Sequence, residues 1–107
     1  MEITQDKFIY VKSDYNDVKI EFDDILYIQG LKDYVKVYIS ERPVITHSNL
    51  KNFELKLPAG KFIRIHKSYI VQLNKIQAIQ EKTLMVGNKE IPIGERYKDN
   101  FFHKIGS

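Results

Sequence analysis

The chain has 107 residues, with 17 Lys+Arg, 14 Asp+Glu, no Cys and no Trp, a length that suits one compact core rather than two. Without Cys, disulfide frameworks, thiolate zinc sites and cysteine nucleophiles are excluded. At 43% hydrophobic the chain is too apolar for disorder, and no apolar run reaches the length of a transmembrane helix. Its start, MEITQDKFIY, lacks the cationic-then-apolar order of a signal peptide, so a cytoplasmic location is expected.

Most of the chain alternates with a period of two, the mark of half-buried strands. Phe8 to Lys12 and Asp17 to Phe22 read as two short strands joined by a hairpin turn at 13–16. Val18, Ile20 and Phe22 share one face of the second. Ile25 to Ile28 is a third strand and Tyr34 to Ile39 a fourth, ending in a turn at 40–43, with Pro43 to Thr46 returning as a short edge strand. The period then changes. Ser48 is placed to cap a helix with Leu50, Phe53, Leu55 and Leu57 near one face, stopped by Pro58-Ala59-Gly60. Phe62 to Ile65 and Tyr69 to Leu73 are strand-like around a polar break at His66-Lys67-Ser68. Ile76 to Ile79, Thr83 to Val86 and Glu90 to Ile93 continue, the last two joined by a tight turn at Gly87-Asn88. A terminal helix begins near Gly94-Glu95-Arg96-Tyr97, with Tyr97, Phe101, Phe102 and Ile105 along one stripe. The expected fold is mainly β: a meander of about ten short strands in small packed sheets, with one inserted short helix and a C-terminal helix.

The net charge of +3 is mild but uneven. Residues 1–60 carry 8 Lys+Arg against 10 Asp+Glu, and residues 61–107 carry 9 against 4. The second half is therefore expected to contribute more to any anion-facing surface, unless the excess is scattered over a solvated exterior.

No catalytic constellation stands out. The three His residues are far apart, none at metal-ligand spacing, and no glycine-rich phosphate loop is present. No enzyme activity, metal or cofactor is expected. Pairing His66 with His103 or Lys67 for RNA cleavage has little support, because nothing sets its geometry. The informative stretch is Arg64 with His66-Lys67-Ser68, a cluster of donors between two buried strands. Such a break exposes its side chains together at a sheet edge, where they can meet phosphates or base edges. Gly30-Leu31-Lys32-Asp33, followed by Tyr34, and the strand–helix junction at Arg96 have the same character. Solvated strand ends and ordinary turn residues would explain each of these loops taken singly.

Phe62-Ile63-Arg64-Ile65-His66-Lys67-Ser68-Tyr69-Ile70-Val71, followed by Ile91-Pro92-Ile93-Gly94-Glu95-Arg96-Tyr97, resembles the signature of LytTR-type DNA-binding domains. Asp24 to Ile28 and Asp33 to Val37 resemble the family's first block, and the similarity runs from about Phe8 to Ile105. The resemblance implies an elongated β-fold whose loops enter DNA grooves from one edge. It also implies the C-terminal output domain of a two-component response regulator, bound to paired direct repeats of double-stranded DNA, with a second copy of itself as neighbour. Carried over position by position, the DNA-binding residues are Lys32, Asp33 and Tyr34, then Arg64, His66, Lys67 and Ser68, then Arg96. Asp33 stands where the family often has Asn, Gln29 where an acid is frequent, Gln72 where Asn is common, and Gly94-Glu95 where Ser and a basic residue are commoner.

One domain over residues 1–107, with its core at 8–105 and no room for a phospho-accepting receiver, is the expected organisation. The chain is then a fragment of a longer regulator or a stand-alone form. The reading from another class is a protein-interaction module that uses the seven Tyr and six Phe as an aromatic β surface.

Overall fold

The computed structural model describes residues 7–40 and 42–106; Glu41, inside the turn expected at 40–43, lies outside the described residues. Strands β1 (Phe8–Ser13) and β2 (Asn16–Glu21) form a two-stranded ribbon. The turn between them places Asp14 and Tyr15 at φ 52° and 66°, the left-handed pair that matches the twist of a tight hairpin. Neither is Gly, and a Tyr in that region costs about 1 kcal/mol or more. Tyr15 is fully exposed, so Tyr15→Gly removes no packing. It is expected to raise stability by roughly 0.5–1 kcal/mol, net of the unfolded-chain entropy that Gly adds. A higher urea midpoint with an unchanged slope is the observable.

Five strands make the central sheet: β3 (Tyr27–Gly30), β4 (Tyr34–Tyr38), β5 (Pro43–His47), β6 (Phe62–His66) and β7 (Tyr69–Gln72). Their order is β5-β4-β3-β7-β6, antiparallel at every pairing. The chain leaves β5 at one edge, passes through helix α1 (Leu50–Glu54) and enters β6 at the other edge. Strands β8 (Ile76–Ile79), β9 (Thr83–Val86) and β10 (Lys89–Pro92) form a third sheet, and helix α2 (Glu95–Lys104) ends the fold. Among the described residues the architecture is mainly β, with ten short strands in three antiparallel sheets and two helices. At 40 × 40 × 23 Å it is extended in two directions and thin in the third.

Alternation along the central strands sends successive residues to opposite faces, so this sheet separates two cores. Ile28, Val35, Val37, Phe62 and Ile70 face the first, completed by the β1–β2 ribbon and by Leu50, Phe53 and Leu57. Tyr27, Ile63, Ile65 and Val71 face the second, completed by Leu84, Val86, Ile91, Ile93 and Phe101. Of the stripe expected on the terminal helix, Phe101 is fully buried with Phe102 and Ile105 packed beside it, while Tyr97 is only half-buried and lies outside that cluster.

Several local boundaries differ from the sequence reading. The third strand lies two residues later than 25–28, because Phe22–Asp24 form a 3-10 turn that delays it. Leu73 likewise belongs to a 3-10 turn, Leu73–Lys75, and not to β7. Asn49, not Ser48, caps α1: its Oδ1 accepts from the Asn52 N–H at 2.8 Å. The helix ends at Glu54, which leaves Leu55 82% exposed and off the apolar face, while Leu57 returns to the core just beyond. Gly30 closes β3 where α1 crosses, since a Cβ there would lie within 2.8 Å of two Leu50 side-chain carbons. No helix among the described residues is long and apolar enough to cross a membrane.

Candidate nucleic-acid interface

The antiparallel order decides what gathers at one end of the central sheet. Strands β3, β5 and β6 all run toward it, ending at Gly30, His47 and His66, and β4 and β7 leave it at Tyr34 and Tyr69. The junction between β10 and α2 reaches the same end, because the Gly94 N–H donates to the Ile65 carbonyl at 2.7 Å. Loops 31–33, 67–68 and 94–97, dispersed in sequence, therefore share one edge.

The first two loops are bonded to each other. The Gly30 N–H donates to the Ser68 carbonyl at 2.8 Å, and the Leu31 N–H closes its own turn on the Tyr34 carbonyl at 2.8 Å. Lys32, Lys51, Arg64, Lys67 and Ser68 line a shallow open depression of about 480 Å³ between them. Asp33, Tyr34, His66 and Arg96 do not line it. Asp33 accepts the Ser48 N–H through its backbone carbonyl at 3.3 Å, and its side chain is exposed. Tyr34 turns edge-on to His47, with ring centres 5.3 Å apart, and with it lines a separate hollow beside the β1–β2 turn.

The carbonyls of the 66–68 turn all accept from within the protein, the Ser68 carbonyl from Gly30. His66 Nδ1 accepts the Ser68 N–H at 3.0 Å, so in the neutral ring the proton sits on Nε2, which is left as a donor. Arg64 Nε and Nη2 donate to the His66 and Lys67 carbonyls at 2.9 and 2.7 Å. Its Nη1 meets Glu54 Oε1 at 3.3 Å, and its guanidinium lies 5.7 Å from the Tyr97 ring centre. What remains for a ligand is a set of donors, among them the His66 Nε2–H, the Lys67 ammonium and the Ser68 hydroxyl. Arg96, in the first turn of α2, is exposed and forms no ion pair among the described residues, as is true of Lys32 and Lys67.

Burial first, then the charges of Lys67 and Arg64, holds the His66 imidazole below its ordinary 6.5. A lowered histidine value means that the unfolded chain binds more protons as pH falls. This part of the stability is fully present above the unfolded value and is lost on acidification through the folded one. Following the His66 ring proton signals by NMR is expected to give a lower midpoint for the native chain than for the same histidine in urea. A higher native midpoint would reverse the assignment of the charges around it.

Sequence reasoning missed His47, Asn49 and Lys51 at this edge. His47 stands opposite Tyr34 in the β4–β5 register, so hairpin pairing counted back from the 40–43 turn could have found it. Lys51 carries no such signal, because its place depends on where α1 crosses the sheet. The Tyr residues are divided. Tyr27 is buried and stacked on Tyr38 at 4.5 Å, and burial pushes its phenol up to about 12. Tyr10, Tyr15 and Tyr34 are exposed.

Residues 15–106 match the sequence profile of the family described as the LytTr DNA-binding domain. The chain belongs to the LytTR family of DNA-binding domains. The LytTR fold is also seen in the LytTr DNA-binding domain of a putative methyl-accepting/DNA response regulator from Bacillus cereus. That domain superposes with a TM-score of 0.82 at 26% identity, covering 96% of this chain and all of the other. The sensory transduction protein LytT of Bacillus anthracis is 29% identical over 86 residues, 75% of this chain and 35% of that protein. Its namesake from Enterococcus faecalis is 27% identical over 104 residues, 83% of this chain and 43% of the relative. The transcriptional regulatory protein YpdB of Escherichia coli K12 is 34% identical over 58 residues, 54% of this chain and 24% of that protein. This LytTR chain thus spans well under half the length of the curated relatives it matches.

Proposed function

We propose that this domain binds double-stranded DNA sequence-specifically in transcriptional regulation, as the output domain of a two-component response regulator. One observation carries the reading: three polar segments far apart in sequence converge on one edge, with the carbonyls of the central turn satisfied internally and its donors left over. An edge built this way can enter grooves with loops in place of a recognition helix. Arg96 reads a base, with guanine favoured by the fork of its donors. Lys32, Lys67 and Ser68 contact phosphates and set the register. His66 donates through Nε2. Asp33 accepts from a cytosine amino group, and Tyr34 packs against the sugar edge beside it. Arg64 contributes through the turn that it holds.

The relatives named as sensory transduction and response-regulator proteins support a regulated, longer arrangement in which a receiver domain supplies the input. On this reading two copies sit side by side on paired direct repeats, and the DNA is met in the cytoplasm. Selection of bound duplexes from a random pool is the direct test. Enrichment of a repeated motif, bound more tightly than its scrambled form and more weakly as salt rises, is the expected result. Equal affinity for the scrambled duplex would remove the specificity, and an absence of salt dependence would remove phosphate contact.

A further inference from the structure

Among the cations Lys32, Lys51, Arg64, Lys67 and Arg96, only Arg64 is half-buried, and its guanidinium is already engaged on three sides. We propose that Glu54 and Tyr97 are positioning residues for DNA binding, which hold Arg64 and through it the His66-Lys67-Ser68 turn. This inference rests on the DNA-binding reading of the edge.

The β6–β7 ladder slips register between Arg64 and His66, so regular pairing alone does not define the turn at its tip. Two charge-assisted bonds from one rigid fork, to the His66 and Lys67 carbonyls, do define it. The fork is in turn aimed from outside β6. Glu54, the last residue of α1, takes Nη1 at 3.3 Å, and the Tyr97 ring from α2 sits 5.7 Å away. Tyr97 is itself seated, because a Cβ on Gly94 would come within 3.2 Å of its Cδ2 and 3.5 Å of the His66 Cδ2. Both helices and the turn thus meet at one guanidinium, and Tyr97 is the chain neighbour of Arg96.

The sign of the Glu54 effect separates this role from plain electrostatics. An acid on a DNA-facing edge repels phosphate, so charge alone predicts that Glu54→Gln tightens binding or leaves it unchanged. Positioning predicts the opposite. Arg64→Lys discriminates in the same way: Lys serves a phosphate as a point charge but cannot span two carbonyls as a fork.

The test measures the whole chain, wild type and variants, by anisotropy on the duplex enriched from the random pool. Glu54→Gln is expected to weaken binding by about two- to fivefold, the scale of a partly exposed ion pair. Tyr97→Leu and Arg64→Lys should weaken it as well, and adding Glu54→Gln to Arg64→Lys should cost little more. In the free protein, Glu54→Gln and Arg64→Lys should speed exchange of the Ser68 amide. Tighter or unchanged binding by Glu54→Gln, or wild-type binding by Arg64→Lys, overturns the proposal. Should the wild type bind no duplex, the DNA reading fails, and Ser68 exchange judges the clamp separately: faster exchange in both variants sustains it and unchanged exchange overturns it.

Discussion

Replacing Arg96 with Ala is expected to lower affinity for the selected duplex by roughly ten- to a hundredfold, the discrimination carried by one bidentate base contact. The scrambled duplex should lose only the share of one cation. The thermal midpoint should hardly move, because the side chain is exposed, forms no ion pair among the described residues and sits in the first turn of α2. A substitution of that kind changes stability by no more than about 0.5 kcal/mol. Arg96→Lys should fall between the two, since one ammonium replaces a planar pair of donors. Titrations on matched and scrambled duplexes at two salt concentrations separate the cases. Equal weakening on both sequences would reassign Arg96 from a base to the phosphates.

The exposure of Arg96 was legible in the sequence and the contacts of Arg64 were not, and the difference is physical. A strand–helix junction exposes the residues that follow it, so a cation two positions past Gly94 could be placed by local rules. Arg64 looks the same as a letter, yet its partners come from the turn before β7, from α1 and from α2, and no local pattern encodes them. The strands themselves were readable wherever one face is buried, as in Val35 and Val37 either side of Lys36. Their order was not. Tyr27 pairs with Val71 across more than forty residues, and alternation names a face without naming a neighbour.

The charge asymmetry shows the same limit. The second half holds the surplus, but the depression on the proposed contact edge draws Lys32 and Lys51 from the first half beside Arg64 and Lys67 from the second. Antiparallel pairing interleaves the halves, so a balance taken along the chain does not map onto a face. The halves pair elsewhere too, as where Lys61 at 2.9 Å holds the Asp23 carboxyl below the usual carboxylate range.

Gln72 is where the largest loss of stability is expected. It is fully buried, and its Nε2 donates to the Phe22 carbonyl at 2.9 Å and to the Ile25 carbonyl. One amide therefore ties the 3-10 turn ahead of β3 to the end of β7. Gln72→Leu keeps the volume and removes both bonds. The Phe22 carbonyl still accepts the Ile25 N–H at 3.1 Å. Leu also removes the buried Gln72 Oε1, which has no partner among the described residues. The cost therefore falls on the Ile25 carbonyl alone, about 1–2 kcal/mol. Gln72→Glu is worse at neutral pH, because a buried carboxylate then faces two carbonyl oxygens, and more than about 4 kcal/mol is expected. Burial raises the folded carboxyl above its unfolded value. The extra penalty is accordingly absent below the unfolded value of about 4.3 and grows as pH rises toward the folded one. The protonated carboxyl of the Gln72→Glu variant can also donate to one of the two carbonyls, which a Leu cannot. Urea unfolding at acidic and neutral pH should therefore show the Glu variant recovering on acidification while the Leu variant changes no more than wild type. Parallel pH dependence in the two variants would mean that the Nε2 donor does not hold this joint.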